Sequence, residues 1–340
     1  MALSPVTKRR IAQFKSNKRG YWSLWIFIGL FVVTLLAELI ANEKPIIVRF
    51  KGETYLPIFH SYSETTFGGQ FETAANYRDP VVQSLIKKDG WMVWPLIPYS
   101  INTVNYDLPV PAPALPSTTN WLGTDDQGRD VTARLIYGFR VSILFGLALT
   151  LFSSVFGVLA GAIQGYFGGR IDIIFQRFIE IWSGLPILYL LIILSSMIEP
   201  NFWWLLSIML LFSWMILIPV VRAEFFRARS LDFVRAAESL GVPTFRIILR
   251  HILPNAMIAT ITYIPFILNG SITTLTSLDF LGFGLPPGSA SLGELLTQGK
   301  NNIQAPWLGL TGFFSIAFVL SLLIFIGEAF RDAFDPRTVK

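Results

Sequence analysis

The chain has 340 residues, 53% of them hydrophobic and only 14% charged, with a mean hydropathy of +0.55 and a formal charge of +5. A soluble domain is about one-quarter charged, so this composition points to several membrane spans and excludes one large soluble core. Cysteine is absent, which excludes disulfides and thiolate metal sites.

Residues 1–20 hold six basic side chains (Lys8, Arg9, Arg10, Lys15, Lys18, Arg19) and no acid. Tyr21 to Ile40 is almost wholly apolar and opens with Trp22 and Trp25. A run of about 20 apolar residues crosses a bilayer core, whereas a cleaved signal has a shorter core and a small-residue cleavage site. This is the expected first span, with a cytoplasmic N-terminus and an interfacial Trp pair.

Residues 41–118 break the composition and read as an extracytoplasmic insertion. Within Pro45–Phe59 the pattern predicts one or two strands. Phe67-Gly68-Gly69 marks a turn, and Asp79–Asp89 predicts a short helix with Pro80 in its first turn. Pro109, Pro111, Pro113 and Pro116 predict an extended linker. The whole segment is too aromatic and too long for a bare loop. The next stretch, Thr124 to Asp130, is acidic, but its oxygens do not alternate as a calcium loop requires. A structural turn with Asp–Arg pairing is the better reading.

Five further spans are predicted at Val141–Ile163, Phe178–Ile198, Phe202–Val221, Met257–Leu278 and Leu308–Phe330. Six spans return the C-terminus to the cytoplasm, and 17 of the 27 Lys and Arg then lie inside. The outside loop Asp279–Pro306 keeps only Lys300. Near the inner end of the third span Glu180 follows Arg177 by one turn, which predicts a structural ion pair, although an ionisable group in a span is also a functional candidate. The fifth span is the most hydroxyl-rich, with Ser271, Thr273, Thr274, Thr276 and Ser277, and Asp279 at its outer end. Such groups bond to neighbouring backbone or line a wet path.

Between the fourth and fifth spans lies a polar hairpin, 222–255. Its first helix places Phe233, Ala236, Ala237 and Leu240 on one face, with Arg235 and Glu238 elsewhere. Ser230 is positioned to cap its start. Gly241 suits a left-handed terminator and Pro243 a fresh helix start. His251-Ile252-Leu253-Pro254 closes the segment, where Pro254 restricts continuation into the fifth span. The sequence has no Gly-x-x-x-x-Gly-Lys-Ser/Thr loop and only two histidines, His60 and His251, which the topology puts on opposite sides. No catalytic constellation and no metal site can be assembled from these residues.

The spacing Ala236-Ala237, three residues, Gly241, nine residues, His251-x-Leu253-Pro254 resembles the signature of permease subunits of binding-protein-dependent ABC importers. That motif usually opens with Glu where this chain has Arg235, a charge reversal. Trp121–Gly138, Gly165–Gly169, Leu278–Pro287 and Gly327–Arg337 are similar to segments of the dipeptide and oligopeptide C-type permeases, so the likeness runs over residues 119–338. There Asp279 replaces a Ser, and Glu180 stands where an Asp is usual. The insertion resembles that of the Yej-type permeases, which import oligopeptides and the peptide-nucleotide antibiotic microcin C.

The resemblance implies an all-α integral membrane protein, the six-span type I ABC importer fold with a small mixed or β insertion outside. It divides the chain into a basic N-terminus (1–20), a first span (21–40), the insertion (41–118) and a permease core (119–340) holding the hairpin. It implies coupling to ATPases through Arg235, Ala236, Ala237, Glu238, Gly241, His251 and Pro254, and a translocation path beside Thr273, Thr274, Thr276, Ser277 and Asp279. Implied partners are a second permease, two ATPase domains carrying ATP and Mg2+, a periplasmic solute-binding protein met by Trp91 and Trp94, and peptide cargo. The place would be the bacterial inner membrane. Rival readings are a secondary transporter, which needs a coupling-ion site and an internal repeat, and a membrane enzyme or scaffold, which needs reactive groups at one depth. Neither set of features is evident.

Overall fold

A computed structural model describes residues 5–195 and 197–334. The chain forms two compact units, each discontinuous in sequence: one comprises residues up to Ile28, Ile143–Pro286 and from Ala317 on, the other Gly29–Ser142 and Pro287–Ile316.

Helix α1 (Pro5–Ser16) stops at Asn17, whose side-chain oxygen accepts from Gly20 N–H at 3.2 Å and so caps α2 (Lys18–Leu35). A break at Leu36 separates α2 from the one-turn α3 (Ala37–Ile40). Among the described residues four helices are long and apolar enough to cross a membrane: Val131–Phe167 (α5), Phe202–Ala228, Thr244–Leu281 and, after the short α13 (Leu292–Asn301), Pro306–Phe334 (α14). A bent pair makes a fifth. Tyr21–Ile40 is not among them, because the helix begins with Lys18 and Arg19 and loses its last turn at Leu36.

The bent pair corrects the expected Phe178–Ile198 span. The helix starts at Gly169, as α6 (Gly169–Ser183), and meets α7 (Ile187–Ser195) at 64°. Pro186 lacks an N–H and drives Leu185 out of helical geometry, so no straight span can run through this point. The Phe202–Ala228 helix is α8 (Phe202–Ser213), one tightened turn at Trp214–Leu217, and α9 (Ile218–Ala228). Asn201 caps its start by accepting from Trp204 N–H at 3.0 Å.

In the first unit one core joins Leu217, Val221 and Phe225 to Val234, Ile247 and Ile252. A second packs Phe145 and Leu149 of α5 against Leu191, Leu205 and Leu275.

In the second unit three strands, β1 (Ile47–Phe50), β2 (Glu53–Tyr55) and β3 (Gly90–Val93), form an antiparallel sheet in the order β2-β1-β3. β1 alternates, with Val48 and Phe50 buried against Phe67, Val82 and Ile86 and Arg49 exposed. The third strand was not legible in the sequence. Its four residues come directly after α4 (Pro80–Asp89), so no turn residues isolate them. α4 begins as predicted, with Asp79 accepting from Val81 N–H at 2.7 Å.

Residues 97–105 are not a free tether, since Ile97 and Tyr99 are buried with Ala133, Tyr137 and Ala290. The Thr124–Asp130 turn is closed by the expected pairing, with Arg129 Nε donating to Asp125 at 2.7 Å while both are buried. Fully buried Arg134 lies 3.4 Å from the same carboxylate and donates to the carbonyls of Ile101, Gly288 and Ser289. Asp130 caps α5 through Ala133 N–H at 2.7 Å; burial pushes its carboxyl above the ordinary range, opposed by that bond and by one from Asn120.

Candidate functional site

The hairpin is built outward from the core of the first unit. Helix α10 (Asp232–Ser239) buries Val234 and Ala237, one turn apart, in the cluster around Phe225 and Ile252. That pairing rotates the helix from the expected face. Phe233, Ala236 and Leu240 are exposed together with Arg235, and Leu240 is 83% exposed. Ser230 is not the cap: its hydroxyl donates to Arg227 O at 2.8 Å, and Leu231 holds the cap position without a side-chain bond. Asp232 in the first turn supplies the negative charge that a helix start favours.

Gly241 ends α10 as the sequence requires. Its φ is +74°; its N–H donates to Glu238 O at 2.9 Å and Val242 N–H to Ala237 O at 3.0 Å. These two bonds satisfy carbonyls that the helix end leaves open. The chain re-enters helix at α11 (Thr244–Arg246), with the Pro243 carbonyl accepting from Arg246 and Ile247. Pro254 does not interrupt the entry to the fifth span. A π turn over Ile247–Ile252 precedes it and α12 (Leu253–Leu281) continues, so Thr244–Leu281 is one helix. Pro254 sits in the first turn of α12, where a missing N–H costs little, and the wide turn gives its ring room. His251 lies half-buried inside this π turn.

The hairpin is clamped to the last turn of α5. The Tyr166 hydroxyl donates to Glu238 at 3.0 Å, and Arg229 Nη1 donates to Tyr166 O at 3.1 Å. Beneath it Arg222 grips Asp172 through two parallel bonds of 2.5 and 2.6 Å, and Gln176 donates to buried Gln164 at 3.0 Å. Sequence reasoning missed Tyr166, Asp172 and Arg222. The available signal was a pair of opposite charges, each at the polar end of an apolar run.

The candidate path residues divide by face. Thr273, Thr274 and Ser277 are exposed, in line with exposed Gly270 and Leu281. The Thr273 and Thr274 hydroxyls also donate to the carbonyls of Asn269 and Gly270, at 2.9 Å each. Thr276 and Asp279 point inward and are buried. Asp279 instead clasps the next turn, accepting from Leu285 N–H at 2.7 Å. Gly284 is obligatory beside it, because a Cβ there would lie 1.8 Å from Asp279 Oδ1.

Arg177 and Glu180 do form the expected ion pair, at 2.6 Å, but both are exposed on α6. Trp91 and Trp94 separate: Trp91 is exposed on β3, whereas Trp94 is half-buried against the core around Val48 and Phe67. Among the described residues no three His, Asp or Glu side chains are grouped to hold a metal ion.

The hairpin is thus packed through Val234 and Ala237, closed by a left-handed glycine, and carries an exposed apolar stripe between apolar helices. The model of the family described as "binding-protein-dependent transport system inner membrane component" matches residues 153–340. The chain belongs to this family. It is 61% identical to the inner membrane ABC transporter permease protein YejE of Escherichia coli strain K12 over 334 residues, 98% of each chain. It is 56% identical to the peptidoglycan transport system permease protein YejE of Agrobacterium fabrum, over 98% of this chain and 94% of that one. The oligopeptide transport system permease protein OppC of Lactococcus lactis strain IL1403 is 37% identical over 220 residues, 64% of this chain and 75% of that protein. As a transport-system inner membrane component, the chain is a multi-pass membrane protein and a transport subunit. The matched stretch contains the hairpin, the α6–α7 bend and α12. It ends in residues 335–340, where Arg337 and Lys340 lie outside the described residues.

Proposed function

We propose that this chain forms half of the translocation channel of an ATP-driven importer of peptides. The observation that carries this reading is the exposed stripe Phe233, Arg235, Ala236 and Leu240 on a hairpin otherwise held rigidly by Val234, Ala237 and the Tyr166–Glu238 bond. An exposed apolar patch on a well-supported element is a docking surface. Its occupant is an ATPase subunit carrying ATP and Mg2+, one of two in the complex. Arg235, which has no ion pair among the described residues, meets an acidic patch there.

The N- and C-termini lie in the cytoplasm, and Tyr21–Ile40 serves as a sixth span once α14 and the bilayer surround it. Residues 41–118 with their three-stranded sheet lie outside and meet the solute-binding protein through Trp91. Thr273, Thr274 and Ser277 face the path or a second permease, because small hydroxyl side chains are the kind that helices pack against one another in a membrane. ATP-driven closure of the ATPases moves the hairpins as rigid bodies and switches the channel between its two openings.

Cargo is a short peptide, with microcin C as one case. A second reading, peptidoglycan-derived peptides, is favoured by the relative named for peptidoglycan transport, whose match runs over 98% of this chain, against 64% for the oligopeptide relative. Affinity purification tests the assembly: an ATPase and a second permease should co-purify, and a single-chain transporter or enzyme should bring neither. Uptake of a labelled linear peptide, microcin C and a peptidoglycan fragment by cells with and without the chain then identifies the cargo.

A further inference from the structure

We propose that a basic cleft where the helices of the first unit reach their polar ends binds the headgroup of an anionic phospholipid. This goes beyond the transport reading and does not depend on it. The cleft holds about 630 Å³, within the range of small-ligand pockets. Arg10 of α1, Arg227 of α9 and Arg331 of α14 line it, with Glu224 the one carboxylate among the lining residues. Arg227 donates to Glu224 at 2.5 Å, so that acid is already matched. Arg10 and Arg331 form no ion pair among the described residues. Two positive charges are therefore left for a ligand.

Apart from Asn255 and Thr262, the rest of the wall is apolar, including Leu231, Phe233, Ile258, Ala259 and Phe334. An anion with a hydrocarbon body satisfies both halves, whereas inorganic phosphate leaves the apolar half wet. Depth agrees. One apolar helix ends at Ala228, and the Thr244–Leu281 helix passes through Asn255–Thr262 at the cleft. Polar ends of spans lie at headgroup level, where basic side chains meet anionic lipid.

Helix α1 supplies a second, independent argument. It carries Lys8, Arg9, Arg10 and Lys15, no acid and no buried residue. It is anchored by the Arg10 guanidinium 4.7 Å above the Phe334 ring and by Phe14 against Phe330 at 4.9 Å. A helix with four basic side chains and no acid, held at the polar ends of apolar helices, concentrates positive charge where anionic headgroups lie. A bound headgroup would bridge α1 and α14 to Leu231 at the start of the hairpin.

The test uses the full-length chain, purified with whatever subunits accompany it in a neutral detergent. Retained lipid is read by native mass spectrometry against added phosphatidylglycerol or phosphatidylcholine of the same acyl chains. One phosphatidylglycerol should be held under conditions that strip phosphatidylcholine. Removing a basic group near the membrane surface weakens binding about fivefold, so Arg10→Gln with Arg331→Gln should weaken it roughly thirtyfold. Lys8→Gln with Arg9→Gln, equal in charge but outside the cleft, should change it little. Equal losses from the two pairs would reduce the effect to diffuse charge and overturn the site. Displacement by millimolar inorganic phosphate would show a free-anion site instead. Unchanged lipid retention with loss of a co-purifying protein would make the cleft a protein surface and also overturn the proposal.

Discussion

The Tyr166 hydroxyl donates to the Glu238 carboxylate at 3.0 Å, joining the last turn of α5 to the exposed side of α10. Val234 and Ala237 fix the depth of α10 by burial, and this bond, with Arg229 on the Tyr166 carbonyl, fixes its rotation. Tyr166→Phe removes the hydroxyl alone, a loss of about 1 kcal/mol or less for so exposed a bond. The expected outcome is normal membrane abundance with a severalfold fall in transport-coupled ATP hydrolysis. An unchanged coupling ratio would show that core packing suffices.

Gly241 has open space around its Cβ position, so a substitution there acts only through its φ of +74°. Gly241→Val should cost about 1–2 kcal/mol of local stability and abolish uptake. Gly241→Asn, which tolerates the left-handed region, should keep most of it. Uptake assays at matched protein level check this. If Val and Asn behave alike, backbone geometry is not the cause.

Gly284→Ala should destabilise the turn after α12 by about 1–3 kcal/mol, because the new Cβ meets Asp279 Oδ1 at 1.8 Å and Asp279 N at 2.7 Å. Thermal unfolding in detergent measures the loss. Adding Asp279→Ser, which shortens the clashing side chain, should recover part of it.

Arg134 has no exposed surface and supplies carbonyls from two chain segments, Ile101 and Gly288–Ser289. Arg134→Met strands those acceptors and alters the balance around Asp125, a change of about 3–5 kcal/mol. The variant should accumulate poorly in membranes by immunoblot. Arg134→Lys should rescue little, since an ammonium cannot present the guanidinium fork.

Residues 44–95 can be excised where the chain ends are already adjacent, since Asn42 N–H donates to Ile97 O at 3.1 Å and Ile97 N–H to Ile40 O at 2.9 Å. Replacing 44–95 by a short flexible linker should spare insertion and ATPase binding but abolish stimulation by the solute-binding protein. Cutting further, to residue 115, should also destabilise the chain, because Ile97 and Tyr99 belong to the core with Ala133 and Tyr137. Normal stimulation of the shorter deletion would show that the sheet is not the docking surface.

The sequence by itself determined whatever depends on one residue's own chemistry or on a local run. Apolar length predicted spans at 141–163, 202–221, 257–278 and 308–330, each inside a longer helix at 131–167, 202–228, 244–281 and 306–334. Gly241 had to be left-handed, Asp79 could cap α4, and Asp125 and Arg129 were near enough along the chain to pair. Tertiary structure alone decided the rest, because rotation and partnership depend on packing from elsewhere. The same α10 residues could turn Phe233 and Leu240 inward or outward; Val234 and Ala237 won because they fit the cluster around Phe225 and Ile252. Thr276 and Asp279 are chemically indistinguishable from path residues in the sequence, and only neighbouring chain buries them while leaving Thr273 and Thr274 open. Tyr166 and Glu238, separated by 72 residues, meet because α5 and α10 end at the same level, and no local pattern encodes a shared level.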